Sequence, residues 1–293
     1  MDSINKIGGG LQQSKKDKRD IAVGMIFALP KVEDLPKEFI VNGFIKVKNQ
    51  GSDDTCAARA SDAVSEDQEQ IELCDYFSFA IAKWIDGDPA SWGTQLRSVA
   101  KGHTKYGALS VKDCPLHLSD KHNLLRDRDW NNWPDKEKLL NLAKRHKKAS
   151  YLSISGNYDV FDNFRIMLFF FKNELRSSFT GAAWKSIWTT SSGGIIPKFD
   201  LDKGQFGHAF KIYGWKEIAG ETYLIAQLSN GQDIGDKGLF YFPRDIVNKD
   251  FSFGAYTFSD MPAEEVKQKG WNWRIKLGEM LKDYNVLKIW KII

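Results

Sequence analysis

Only three cysteines and five histidines stand among the 293 residues. An odd number of cysteines at irregular spacing makes no disulfide framework. That usage fits a reducing compartment best. Cys74 and Cys114 have no evident mates and read as buried thiols. No apolar stretch is long enough to span a bilayer. The dense apolar run 166–171 is closed off by Arg165 and Lys172 and reads as a buried helix segment. The N-terminal stretch MDSINKIGGGLQQSKKDKRD lacks an apolar h-region, so no signal peptide is expected. A cytoplasmic or virion-associated protein is therefore expected. The formal charge is only +4, and no zinc knuckle or other reading motif is present, so nucleic acid is not expected as a partner. His117 and His122 straddle Leu-Ser-Asp-Lys near Cys114, but that spacing matches no common zinc pattern. With His103 and His146 they read as surface residues, and no metal or other cofactor is expected. There is no internal repeat.

What is present is the composition of a folded protein, with 42% hydrophobic and 13% aromatic residues. The length allows one large domain or two lobes sharing a core. Residues 1–20, with Gly-Gly-Gly and a Lys/Arg run, read as a flexible solvated arm. Pro30 and Pro36 suggest extended structure over 21–45. The pattern from Cys56 to Lys83 is helical, with Val64, Ile71, Phe77 and Ile81 at roughly turn spacing. Asp86-Gly-Asp-Pro89 is a turn, and Thr94 is the expected N-cap of the next helix. A further helix is expected over 135–148. The second half changes character. A strand is expected over 151–155, a helix over 160–174, and strands over 178–184, 208–215, 222–227 and 238–242, punctuated by glycine. The layout is α+β: a helical lobe over about 50–150, then an antiparallel β-rich lobe over about 151–261. Residues 262–293 add an amphipathic helix, with Trp273, Leu277, Met280, Tyr284 and Leu287 on one face and Lys276, Lys282 and Lys288 on others. It is expected to pack on its own domain, or to serve self-association or a protein partner.

The chemistry-bearing residues begin at Gln50 and Cys56, in Val47-Lys-Asn-Gln50-Gly-Ser-Asp-Asp-Thr-Cys56. A cysteine at a helix start meets unpaired N–H groups and the positive end of the dipole, which favour a thiolate. Cysteine catalysis also needs a histidine and donors aimed at the developing oxyanion. His208 begins an apolar strand after Gly207 and can face a groove. Gln50 can offer its side-chain amide beside the N–H of Cys56. Taken singly these signals are modest, since a lone cysteine is more often a small buried apolar residue.

Five ordered motifs resemble the papain-like cysteine peptidases, of the bacterial and bacteriophage type without a long propeptide. The Gln50-to-Cys56 stretch resembles Val-Lys-Asn-Gln-Gly-Ser-Cys-Gly-Ser-Cys-Trp with the Gln-to-Cys spacing unchanged. Trp92-Gly-Thr-Gln-Leu-Arg-Ser-Val-Ala100 with Lys105-Tyr-Gly107 resembles the family's Gly-Gly segment and following helix. Ser192-Gly-Gly-Ile195 resembles the Gly-Gly-Ile strand, Gly207-His-Ala209 resembles Asp-His-Ala, and Gly235-Asp-Lys-Gly-Leu-Phe240 resembles Gly-Glu-Asn-Gly-Tyr. The resemblance spans about residues 46–245. It implies a two-lobed fold that hydrolyses peptide bonds in a peptide or protein substrate. Cys56 would be the nucleophile, His208 its proton partner, Gln50 the oxyanion donor, and Gly93 a backbone contact for substrate.

The departures bear on activity. The family's orienting asparagine is replaced by Leu228 in the gapless alignment. Asn230, two residues on and so on the same strand face, is the candidate to orient His208, and Gln227 is the weaker one. The alternative is that nothing orients His208, and that the fold is a silent structural or binding module, for example in a virion or surface assembly. Transamidation on the same Cys-His pair is a third reading. Asp53 and Asp54 lie close to Cys56. If they face the sulfur they raise its pKa; if they cap the helix they stabilise it. The arm before the first motif is too short for a long helical propeptide, so activation by prosegment cleavage is not expected.

Overall fold

The helical pattern that begins at Cys56 forms two helices rather than one. In the computed structural model, α2 spans Cys56–Glu69 and α3 spans Asp75–Asp86. The model describes residues 9–14, 17, 20–27, 29–44, 46–115, 127–174, 176–198, 204–262, 264–266 and 268. The break falls at Gln70, whose φ of 57° ends α2 in the left-handed region. Four alanines (Ala57, Ala58, Ala60 and Ala63) let α2 sit close to its neighbours, and all four are buried. α3 stops at Gly87, whose positive φ lets its N–H reach the carbonyls of Lys83 and Trp84.

Leu96–Lys105 forms α4, with Gln95 rather than Thr94 at its N-cap. Thr94 is instead drawn into a two-residue strand, β4 (Thr94–Gln95), and its hydroxyl donates to Asp86 Oδ2. The helix expected over 135–148 is shorter, Lys136–Ala143, followed by a 3-10 turn to His146. Residues 21–45 hold short pieces: β2 (Ile21–Ala22), α1 (Val23–Ile26), a 3-10 turn over Val32–Asp34 and β3 (Phe39–Ile40).

The remaining strands are β5 (Ser150–Ser153), β6 (Ser178–Trp184), β7 (Phe206–Ile218), β8 (Glu221–Gln227), β9 (Leu239–Pro243) and β10 (Ala255–Ser259). They join in one sheet of order β2-β5-β10-β6-β7-β8-β9, with β3 added on β7. Every pair is antiparallel except β2 with β5. The helix Val160–Phe170 ends earlier than expected and passes into a 3-10 turn. Ser192–Gly194 is a 3-10 turn and not a strand, because Gly193 and Gly194 both take positive φ; only Ile195 bridges to Tyr241.

Three apolar clusters result. The largest fills the sheet's aromatic side, with Trp184, Trp188, Phe210, Trp215, Phe240 and Phe242. A second belongs to the helical part, with Phe77, Ile81, Trp130 and Trp133. The third lies between them and holds Cys56, Ala57, Val64, Val99, Phe179, Ala209 and Phe258. The two parts thus share a seam, and Cys56 is in it. The expected C-terminal helix lies almost wholly outside the described residues. Val266 is buried in the main core, and its N–H reaches Pro262 O.

Candidate active site

Cys56 is the first residue of α2, as the pattern predicts, and Thr55 gives no side-chain cap. The helix start points at β7. The sulfur accepts from the backbone N–H groups of Ala209, Ala57 and Cys56, which stabilise a thiolate. Burial outweighs them. Cys56 has no exposed surface, and desolvation pushes its thiol up to about 12, with the Asp54 charge adding to the rise.

The two aspartates divide their roles. Asp54 is wholly buried and accepts from Gly93 N–H (2.5 Å) and from the Arg128 guanidinium (3.1 Å). Asp53 accepts from the Tyr76 hydroxyl at 3.3 Å. Lys83 completes the arrangement by donating to the carbonyls of Ser91 (2.8 Å) and Gly93 (2.9 Å). Both backbone groups of Gly93 are therefore held from within the helical part.

Gln50 is tied on the other side. Its N–H donates to Ser229 O, its Oε1 accepts from the Ser229 hydroxyl, and its Nε2 donates to Asp53 O. Asn49 bridges Asn230, and Gly231 N–H donates to Lys48 O. The loop before α2 and the loop after β8 are thereby stitched together. His208 is also buried, and its ring stands 5.3 Å from that of Trp184, edge to face. Ala209, the next residue, lies in the apolar cluster that holds Cys56, and its backbone N–H is the one that reaches the sulfur.

Asn230 is buried, and its side-chain amide has no hydrogen-bond partner among the described residues. Leu228 is buried in the main core. Gln227 Nε2 donates to Lys46 O at 2.8 Å.

No family model and no curated protein sequence matches the chain. Solved structures do. Xylellain, a cysteine protease from Xylella fastidiosa, is similar with a TM-score of 0.69 at 18% identity, over 88% of this chain and 97% of its own. Digestive procathepsin L2 from the larval midgut of Tenebrio molitor gives 0.64 at 17% identity, over 88% and 79%. Bromelain from Ananas comosus, solved with the E64 inhibitor, gives 0.55 at 14% identity, over 77% and 99%. The chain has the papain-like fold.

Within this papain-like fold three sequence expectations need correction. Cys74 and Cys114 are not mateless thiols: they are joined as a disulfide, with Cα atoms 6.2 Å apart. Nothing in the intervening sequence signals that pairing across a separation of 40; only the packing of α3 on the loop after α4 makes it. It also removes the odd-cysteine argument for a reducing compartment. Residues 9–14 are not a solvated tail, since Gly9, Gly10 and Leu11 are buried. His103 is not a surface residue; it is buried with Nε2 2.8 Å from Asp62. His146 sits beside Glu69 at 3.2 Å. His117 and His122 lie outside the described residues. Among the described residues no group of three or more His, Cys, Asp or Glu side chains is placed to hold a metal. No helix among them is long and apolar enough to cross a membrane.

Sequence reasoning missed Arg128 and Lys83, whose charged side chains suggest solvent, and Ser229. It also missed Gly10 and Leu11, although the Gly-Gly-Gly run was a signal of close backbone approach.

Proposed function

We propose that the chain is a cysteine peptidase in which Cys56 attacks the carbonyl of a peptide bond. The thiolate adds to the carbonyl carbon, and the oxyanion is met by the Cys56 N–H and the Gln50 amide. His208 gives its proton to the leaving amine, leaving a thioester on Cys56. Water then attacks, His208 takes its proton, and the thiol returns. The observation that carries this reading is that α2 delivers Cys56 to Ala209, the residue after His208, with Gln50 held at the same end.

Asn230 is the residue we assign to orient His208. The β7–β8 pairing places Lys211 opposite Gln227 and Ile212 opposite Ala226. The pairing itself ends there, and extending its register by three residues would bring Asn230 beside His208 on a shared face. The same register sets Leu228 opposite Phe210, within the apolar core. The domain organisation that goes with this reading is one peptidase unit over 21–261, with a helical lobe and a β-rich lobe.

A second reading has its own support. A wholly buried Cys56 whose thiol is pushed up to about 12 suits a silent module that binds rather than cleaves. Labelling with a peptide vinyl sulfone, with mass mapping of the product, separates the two. The peptidase reading expects one modification at Cys56, lost in His208→Ala and slowed in Asn230→Ala. Absence of Cys56 labelling would sink it.

A further inference from the structure

His208 lies on β7 directly opposite Ala182 of β6. A methyl group is too small to cover an imidazole, yet His208 has no exposed surface. Trp184, two residues further along β6, supplies a cover. It shares the face of Ala182 and is a diagonal neighbour of His208, a separation that a large aromatic side chain can bridge. The two ring centroids stand 5.3 Å apart with their planes at 74°, inside the range of favourable edge-to-face pairing. Phe206, opposite Trp184 in the same register, stands 6.4 Å from the imidazole at 88°. One ring from β6 and one from its own strand therefore wall the imidazole.

The indole is itself fixed. Its Nε1–H donates to the Thr189 hydroxyl (3.0 Å) in the short helix Ser186–Thr189. The rings of Trp188 and Phe240 stand 5.3 and 5.4 Å from it, at 90° and 87°. Trp184 O accepts from Gln205 N–H (2.8 Å), which ties the end of β6 to the approach to β7. Only 1% of Trp184 is exposed, so its ring meets protein and not solvent. A tryptophan held at its nitrogen and between two rings has one orientation, and it lends that orientation to the imidazole beside it.

We propose that Trp184 is a positioning residue for His208: its indole sets the plane of the imidazole and keeps water from that side of it. The inference rests on the peptidase reading for what His208 does, while the ring contact stands without it. A side chain that takes and delivers a proton works through its orientation, and a ring free to rotate loses that geometry. Exclusion of water also strengthens the attraction between a thiolate and an imidazolium, since charges attract more strongly at low dielectric. An aliphatic side chain of similar length fills the space but offers no ring to pair with. Trp184 acts through His208.

Nuclear magnetic resonance of the full chain with isotope-labelled histidine reads the imidazole directly, with His208→Gln assigning its signal. A ring N–H is seen only where its exchange with water is slow. It is expected to be seen in the native chain and in Trp184→Phe, and lost in Trp184→Met, which keeps length but no ring. Thr189→Val releases only the indole N–H and is expected to quicken the exchange, so it carries the test should Trp184→Met not fold. Phe251→Leu alters the same core, where Phe251 pairs with Phe164, Phe210 and Phe242, and is expected to keep the signal. A peptide vinyl sulfone then reads the consequence. Its saturating rate at Cys56 is expected to fall by about tenfold or more in Trp184→Met, with half-saturation unchanged, and Trp184→Phe recovers most of it. Exchange as slow in the folded variants as in the native chain, or equally fast in Phe251→Leu, overturns the proposal. Labelling that Trp184→Met leaves unchanged also overturns it, and leaves the peptidase reading standing. A native chain whose Cys56 is never labelled, with the signal lost in Trp184→Met and kept in Phe251→Leu, overturns the peptidase reading and supports the ring contact.

Discussion

The two sides of the seam are held by opposite kinds of interaction. The β-rich side is an aromatic core: Trp184 meets the rings of Trp188, Phe240 and Phe242, and Phe210 stacks on Phe242 at 5.4 Å. The helical side is threaded with buried charge. Lys48 pairs with Glu66 and Asp75 at 2.6 Å each, Asp75 also takes Arg59, and Asp62 takes His103. Apolar contacts are non-directional and hold area together. Ion pairs in a dry interior are costly but orient their partners, and here they lie along α2, whose first residue is Cys56. We read the difference as a division of labour: one side supplies stability, the other fixes the helix that begins at Cys56.

The pairing is uneven. Asp75 has two cations, and although burial works against its charge, Lys48 and Arg59 hold its carboxyl below the usual range. Glu66 keeps one oxygen without a partner among the described residues, and burial pushes it up to about 7 despite Lys48. Asp62 is likewise raised, chiefly by burial, against the pull of His103.

The largest expected effects test the division itself. Asp75→Ala strands two buried cations and is expected to cost about 3–5 kcal/mol. Phe242→Ala is expected to cost a similar amount, about 3–5 kcal/mol, by leaving a cavity. Denaturant melts measure both. The contrast lies in Cys56 alkylation of the folded fraction: altered in Asp75→Ala, unchanged in Phe242→Ala. Equal change in both would break the comparison.

Next in size is the disulfide. Cys74 is the N-cap residue of α3, one residue from Asp75, so the bond closes its loop beside the charged network. The double variant Cys74→Ser, Cys114→Ser is expected to lose about 2–4 kcal/mol, read as a lower melting temperature.

A smaller effect is the pH dependence of the network. The Glu66 carboxyl titrates near its ordinary 4.5 in the unfolded chain and near 7 when folded. Between those values the folded state holds more protons, so stability from this group is full below 4.5 and is lost as pH rises through 7. Glu66→Gln is expected to flatten that part of the stability profile. A profile unchanged by the substitution would show that Lys48 dominates the site at every pH.

The smallest effect concerns the thiol. Asp54→Asn removes one cause of the raised Cys56 pKa but leaves burial, the larger one. Alkylation is expected to quicken by less than about tenfold, and a larger gain would make the carboxylate the main control.

Much of this protein was legible from the chain alone. Periodicity and glycine spacing marked α2 at Cys56, β6 at 178–184 and the β7–β8–β9 succession, because side chains that must face a core repeat at the period of their element. The Gln50-to-Cys56 spacing marked two residues that meet at one end of α2, because that relation is local. Other features depended on residues distant in sequence. The disulfide and the Asp54–Arg128–Gly93 clasp join segments separated by up to 74 positions. Their residue types are equally at home on a surface, so no local pattern distinguishes them. The Gly-Gly-Gly run shows the limit most plainly. Alone it reads as a loose tail, since glycine without neighbours means conformational freedom. At Gly9 and Gly10, set against Phe206, Gly207 and Asp54, the same missing side chains become close contact, and only the tertiary structure decides which of the two a glycine is.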